Sequence, residues 1–246
     1  MEISSAKVLF NDRYDAGHQL AQRLTEYQGH SVIVLAIPNG GVPVGLGIAR
    51  ALDAELDLVI VRKIPLPLNP EAGFGAVADD GTVILNEELV KKAGLSQQQI
   101  NDQVARVRDA IRQRSLLYRK ERPLVLLRGK TVIVTDDGLA SGFTMKAAVE
   151  SVRRRHPGQV VIAVPVASAA AMEQITPIAD SVVTIAVGSM ARFAVVNFYR
   201  HWHDLRDAEV IQCLEEWRSR RFGPERSIEE PASQRRGRGL FRHSQS

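Results

Sequence analysis

The chain has a single cysteine, Cys213, so no intramolecular disulfide can form, which suits a reducing compartment. It contains no run of about 18 apolar residues, the length a helical membrane span requires, so no membrane association is expected. Its opening residues, MEISSAKVLFNDR, lack the charged-then-apolar pattern of a secretory leader, and no internal repeat is visible. A cytoplasmic protein is the expectation. The formal charge of +4 hints at nucleic acid until it is divided along the chain. Eight arginines and three glutamates between Arg218 and Ser246 give that segment +5, which leaves −1 for the other 217 residues. Residues 218–246 are also poor in apolar side chains and rich in Ser, Gly, Pro and Arg. They read as a basic, disordered, solubilising tail, and nucleic acid is not an expected partner.

What is present is a hydrophobic fraction of 45% with 24% charge, enough for one good core with a small appendage. Strand-like and helix-like patterns alternate along it. Residues 15 to 28 read as a helix closed by Gly29, Ser31 to Ile37 as a strand, and Pro43 to about Leu52 as a helix. Leu56 to Val61 reads as one apolar strand ending in Arg62 and Lys63. Residues 64–81, rich in Pro and Gly, show strand character only near 76–78, and a strand follows at Thr82 to Leu85. A helical stretch at about 86–122 includes a long helix opened by a Ser96/Gln99 capping box, with Ile100, Val104, Val107 and Ile111 as its buried stripe. Its basic residues (106, 108, 112, 114, 119, 120 and 122) are most simply a solvated face. Further strands at Val160 to Val166 and Ser181 to Ala186 alternate with helices at 144–156, 168–175 and about 206–222. Such alternation predicts a parallel sheet covered by helices, with right-handed crossovers.

The richest segment is VIVTDDGLASGFTM, residues 132–145. A β-branched run ends in adjacent carboxylates, Asp136 and Asp137, where ligands of parallel sheets bind. Gly138, Ala140, Ser141 and Gly142 are small enough for backbone N–H groups to close around an anion at a helix N-terminus. Ser141 and Thr144 add hydroxyl donors. The two acids would repel a phosphate, but each carboxylate can accept from the paired hydroxyls of a diol. Phosphate beside diol indicates a ribose 5-phosphate.

This segment resembles the 5-phosphoribosyl 1-pyrophosphate (PRPP) motif of the type I phosphoribosyltransferases: apolar strand, two acids, three mostly small or apolar residues, Thr or Ser, Gly, any residue, Thr. FNDRYDAGHQLAQRL, VLAIPNGGVPVGLGIARAL, LDLVIVRKI, NPEAGFGAV and FAVVNFYRHW extend the likeness over about residues 10–215, to a bacterial group of predicted phosphoribosyltransferases. The resemblance implies an α/β, Rossmann-like fold of parallel sheet and flanking helices. Residues 1–217 would form the domain, with a helical insertion at about 86–122 and a small hood at about 189–205. It implies transfer of 5-phosphoribosyl from PRPP to a nitrogenous acceptor with release of pyrophosphate, in nucleotide metabolism, with Mg²⁺ as cofactor and a homodimer as the assembly.

Residue roles follow from the same likeness. The 5-phosphate would rest on Gly138, Leu139, Ala140, Ser141, Gly142, Phe143 and Thr144, and the pyrophosphate on Asn39, Gly40, Gly41, Arg62 and Lys63. Asp136 and Asp137 would hold the diol and, through it or through water, the metal; with Lys63 they are the candidate catalytic residues. Residues 64–81 would be a mobile cover. The hood would stack a planar base on Phe193, Phe198, Tyr199 and Trp202, with packing of a small subdomain as the alternative. His201, His203 and Cys213 lack the second compact ligand pair of a zinc site. Two departures stand out. Enzymes for 6-oxopurines usually carry an acid where this chain has Ala140. The pyrophosphate turn usually has Arg where this chain has Asn39, which keeps a non-catalytic PRPP- or nucleotide-binding regulatory protein as the alternative function.

Overall fold

A computed structural model describes residues 1–5, 7–67, 69–120 and 122–222; of the expected tail at 218–246, residues 218–222 instead close a helix, and the rest lies outside the described residues. In chain order the elements are β1 (Glu2–Ile3), α1 (Arg13–Ala21), β2 (Val32–Ala36), α2 (Gly41–Leu52), β3 (Glu55–Leu58), β4 (Val61–Leu66), β5 (Asn69–Ala78) and β6 (Val83–Leu85). They continue with α3 (Glu87–Lys92), α4 (Gln97–Arg119), β7 (Thr131–Thr135), α5 (Phe143–Arg153), β8 (Gln159–Ser168), α6 (Ala169–Ile175), β9 (Ser181–Gly188) and α7 (Asp207–Phe222). Six strands form a sheet in the order β1-β9-β8-β7-β2-β3, and every pairing in it is parallel. The fold is therefore the expected α/β sheet, with β7 central.

Side-chain alternation sorts the strands onto two cores. On β2, Val32, Val34 and Ala36 join the core shared with α1, α2, α4 and α7, while Ile33 and Leu35 join the one under α5 and α6. Strands buried on both faces in this way read as unbroken apolar runs, which is why β2, β7 and β8 were visible in the sequence. Helix starts follow local chemistry. Asp12 caps α1 by accepting from the Asp15 amide at 2.9 Å, and Ser96 with Gln99 forms the predicted capping box on α4.

Two expectations are corrected. The run Leu56 to Val61 is two strands. β3 pairs with β2 only as far as Leu58, and Val61 already pairs antiparallel with Ala78. One apolar run thus serves two sheets, and hydrophobic periodicity carries no mark of the bend between them. The Pro and Gly-rich segment is the second correction. β4 and β5 form a hairpin that β6 extends into a three-stranded antiparallel sheet. Register shifts on either side of Pro65 absorb the residue that has no N–H to donate. Gly75 is required by a close approach: a Cβ there would lie 2.4 Å from the Ile84 carbonyl oxygen.

Candidate functional site

β2 and β7 are neighbours in register, with Ala36 beside Thr135, so the turns at their carboxyl ends are forced together. The Ile37 amide donates to the Thr135 carbonyl at 2.9 Å. The two glycines of the turn then sit directly on the acid pair. A Cβ on Gly40 would lie 2.0 Å from Asp137 Oδ2, and one on Gly41 would lie 2.9 Å from the Asp136 Cα. Only residues without side chains permit this approach, which joins two segments nearly a hundred positions apart. The Pro38–Asn39 peptide in the turn is cis.

The acids are not equivalent. Asp136 Oδ1 accepts from the Asp137 amide at 2.8 Å. Asp137 Oδ2 accepts from Arg13 Nε at 2.8 Å, and its backbone carbonyl accepts from the Tyr199 hydroxyl at 2.6 Å. Arg13 is itself fixed, donating to the His203 carbonyl at 3.0 Å with its guanidinium 3.7 Å above the Trp202 ring. Burial, followed by the charge of Asp137, holds the Asp136 carboxyl well above the usual range. Burial also raises Asp137, with Arg13 opposing it. Burial pushes the Tyr199 hydroxyl well up, so it stays a proton donor.

The small-residue loop divides into a structural and an open part. The Leu139 amide donates to the Val166 carbonyl, its own carbonyl accepts from the Ser168 amide, both at 2.9 Å, and its side chain is buried. Leu139 therefore has no amide to offer an anion, which corrects its place among the phosphate-binding candidates. Parallel pairing of one loop residue with β8 leaves no trace in sequence. Ala140 and Ser141 are exposed. Gly142, at φ +79°, is the N-cap of α5 and has no side chain with which to cap it. The first amides of α5, at Phe143 and Thr144, thus face outward beside a favourable helix dipole.

Arg62 and Lys63 do not end a parallel strand; they lie within β4. Successive residues of a strand point to opposite faces. Arg62 shares the face of Ile64, toward the core that includes α4, whereas the Lys63 side chain crosses Gly73, where a Cβ would lie 2.2 Å from its Cγ. The two cations are therefore separated, a correction to their expected joint action. Arg62 is half-buried, and burial followed by the nearby charge of Arg114 lowers its pKa.

Asn39 is the centre of a network that sequence reasoning missed. Its Nδ2 donates to the Leu205 carbonyl at 2.7 Å and to Asp207 Oδ1 at 3.2 Å. Its Oδ1 accepts from Arg114 Nη1 at 3.2 Å and lies 3.1 Å from the Tyr118 hydroxyl. The single phenolic proton goes to the shorter contact, Asp207 Oδ1 at 2.6 Å. That bond, then Arg114, holds the Asp207 carboxyl below its usual range. Burial pushes the Tyr118 hydroxyl up. The basic face of α4 is accordingly not wholly solvated. Arg114 turns inward here, and Arg119 is buried on both oxygens of Asp57 at 3.1 Å.

The aromatic cluster is largely packing. Phe198 is fully buried in the core and Tyr199 nearly so, which removes both as stacking platforms. Phe193 rests on Phe198 at 5.2 Å, and Trp202 is in contact with Tyr199 at 5.2 Å while Arg13 covers its ring. Aromatic residues in a short segment look alike in sequence whether they line a site or fill a core. His203 pairs with Glu209 at 3.0 Å and buried Cys213 lies 3.1 Å from the Tyr14 hydroxyl, so these do not converge with His201. Among the described residues no group of three or more His, Cys, Asp or Glu is placed to hold a metal.

Comparison with known proteins agrees with this fold. The family model of the phosphoribosyl transferase domain matches residues 11–197. Two Mycobacterium tuberculosis proteins, each named "Putative phosphoribosyl transferase" (Rv0571c in strain H37Rv and MT0597 in strain CDC 1551), are 37% identical over 207 residues. The match covers 84% of this chain and 46% of theirs, so the chain spans about half the length of these relatives. The crystal structure of TT1426 from Thermus thermophilus superposes with a TM-score of 0.70 at 38% identity, covering 85% of this chain and 98% of that one. With its parallel sheet, its acid pair and this matched stretch, the chain belongs to the phosphoribosyl transferase domain family.

Proposed function

We propose that the protein transfers the 5-phosphoribosyl group of PRPP to a nitrogenous acceptor, releasing pyrophosphate, as a cytoplasmic homodimer. The observation that carries this reading is the contact of Gly40 and Gly41 with Asp137 and Asp136: an anion-accepting turn abuts two diol-accepting acids. The open amides of Ala140 to Thr144 take the 5-phosphate. Asp136, with a carboxylate oxygen turned from the backbone, takes the ribose diol, and Arg13 orients Asp137 beside it. The Asn39 and Gly40 amides and Arg62 take the pyrophosphate; the Gly41 amide donates to the Ile37 carbonyl at 3.0 Å, which corrects its place among the pyrophosphate-binding candidates.

In the reaction the C1–O bond to pyrophosphate breaks, both electrons leave with the pyrophosphate, and an acceptor nitrogen lone pair forms the new bond to C1. Positive charge develops on the ribose ring, as in glycoside cleavage. The carboxylates of Asp136 and Asp137 lie on the side where that charge grows, and Arg62 faces the charge that departs. The donor set fits Mg²⁺ only sparingly, with Asp136 as the available carboxylate, as suits an ion held chiefly by substrate oxygens. When bound, the ion would neutralise the pyrophosphate. The hairpin of β4 and β5 is the element we assign as the cover that excludes water. Ala140, in place of an acid, disfavours a 6-oxopurine acceptor.

The test is isothermal titration with PRPP and Mg²⁺, followed by a pyrophosphate-release screen over nitrogenous bases. Saturable binding with turnover on one base is expected. Asp136→Asn combined with Asp137→Asn should abolish binding in a folded protein, and unchanged affinity would overturn the ribose assignment. Binding without turnover on any base would favour the regulatory alternative, for which the neutral side chain at Asn39 is the motivating observation.

A further inference from the structure

The turn that abuts the acid pair carries an uncharged residue, and a cation reaches it from elsewhere. Arg114 comes from the last third of α4, on the far side of the three-stranded sheet in sequence, and ends with Nη1 on Asn39 Oδ1 at 3.2 Å and Nη2 at 3.5 Å from Asp207 Oδ1. It also lies close enough to Arg62 for its charge to lower the pKa of Arg62. We propose that Arg114 is a pyrophosphate-binding residue, supplying from the helical insertion the positive charge absent at residue 39. This rests on the PRPP reading above.

Three features of the chain carry the inference. Arg62 is half-buried, and among the described residues it makes no hydrogen bond or ion pair. Two guanidinium groups and one carboxylate, Asp207, leave this cluster at net +1, next to a turn in which the Gly41 and Val42 amides bond within the fold and, among the described residues, those of Asn39 and Gly40 do not. A guanidinium has five N–H donors, and Arg114 directs only two of its nitrogens to protein oxygens. The planar fork that remains matches the paired oxygens of a phosphate.

The identity of residue 39 then acquires a reason. An amide oxygen accepts from Arg114 and draws it to the turn, which arginine, having no acceptor, cannot do. Arginine at 39 would instead set a third cation against Arg62 and Arg114. Asn39 is thus the partner that seats the relocated charge, with Leu205 and Asp207 fixing its orientation.

The experiment is titration calorimetry of the full chain, with Mg²⁺, against inorganic pyrophosphate, PRPP and ribose 5-phosphate separately. Wild-type titrations with PRPP and ribose 5-phosphate judge the PRPP reading: binding of neither overturns that reading. Pyrophosphate alone judges Arg114. Arg114→Gln should weaken pyrophosphate and PRPP by about tenfold or more, as loss of a charge-assisted contact does, and leave ribose 5-phosphate within about twofold. Unchanged pyrophosphate affinity overturns the proposal, and so does an equal loss for ribose 5-phosphate, which would mean a collapsed site. Asp207→Asn supplies a test of opposite sign that does not depend on how Arg114→Gln folds. It keeps the oxygen that accepts from Tyr118 but removes the neutralising charge, so pyrophosphate should bind several-fold tighter; equal or weaker binding overturns the proposal.

Discussion

Arg13 donates through Nε to Asp137 Oδ2 at 2.8 Å across 124 positions of sequence, and the arginine is almost fully buried. The pair makes one of the two adjacent acids depend on the first turn of α1. Replacing Arg13 with Met should leave Asp137 desolvated without its cation and push its carboxyl further up. PRPP affinity near neutral pH should fall by about tenfold or more and recover as the pH is raised through the new pKa, since only the ionised carboxylate accepts from both hydroxyls. Calorimetric titration at several values between about pH 6 and 9 checks this. A pH-independent loss would assign Arg13 to packing alone.

Asp136 carries the opposite liability. Its folded pKa is raised by burial and by Asp137, so the folded state holds its proton more tightly than the unfolded chain does. Stability from this group is present below the unfolded pKa and is lost as pH rises through the folded value. At neutral pH, Asp136→Asn should therefore stabilise the protein by about 1 kcal/mol while removing PRPP binding. Urea denaturation at pH 7 and again below about pH 4 should show the gain at the first and its disappearance at the second.

Gly40 tolerates no side chain. Gly40→Ala sets a methyl 2.0 Å from Asp137 Oδ2, and either the turn or the acid must move. A stability loss of about 1–3 kcal/mol by denaturant titration is expected, with loss of PRPP binding. Retained binding would mean that the turn is not part of the site.

Arg119 tests the base of the same helix that delivers Arg114. It donates to both oxygens of Asp57, to the Leu58 carbonyl at 2.8 Å and to Asp79 at 3.1 Å. Arg119→Met strands the buried carboxylate of Asp57 and the partly buried one of Asp79, and a destabilisation of about 3–5 kcal/mol is expected by urea denaturation. Asp57→Asn and Asp79→Asn in the same background should recover part of it.

The sequence legible at the outset was that with short-range grammar. VIVTDD reads as a strand because both of its faces are buried, and Ser96 with Gln99 reads as a helix start because a capping box spans four residues. The hairpin of β4 and β5 escaped because Pro65, Gly73 and Gly75 suppress strand character while bulges and close approaches make use of them. Arg13 lay inside a recognisable segment, yet nothing local distinguishes an arginine that reaches Asp137 from one in water. Arg114 was hidden among four other arginines of α4. Leu139 and Phe198 erred in the other direction: their residue types fit a site, and only backbone pairing and burial show that they build the scaffold.

One short stretch touches both halves of the site. Trp202 and His203 hold Arg13, and through it Asp137; Leu205 and Asp207 hold Asn39, and through it the glycine turn. All four lie past residue 197, where the family pattern stops. A unit cut at that border would keep the acids and the turn while losing the struts that set them, so the working boundary of this module falls later than its recognisable one.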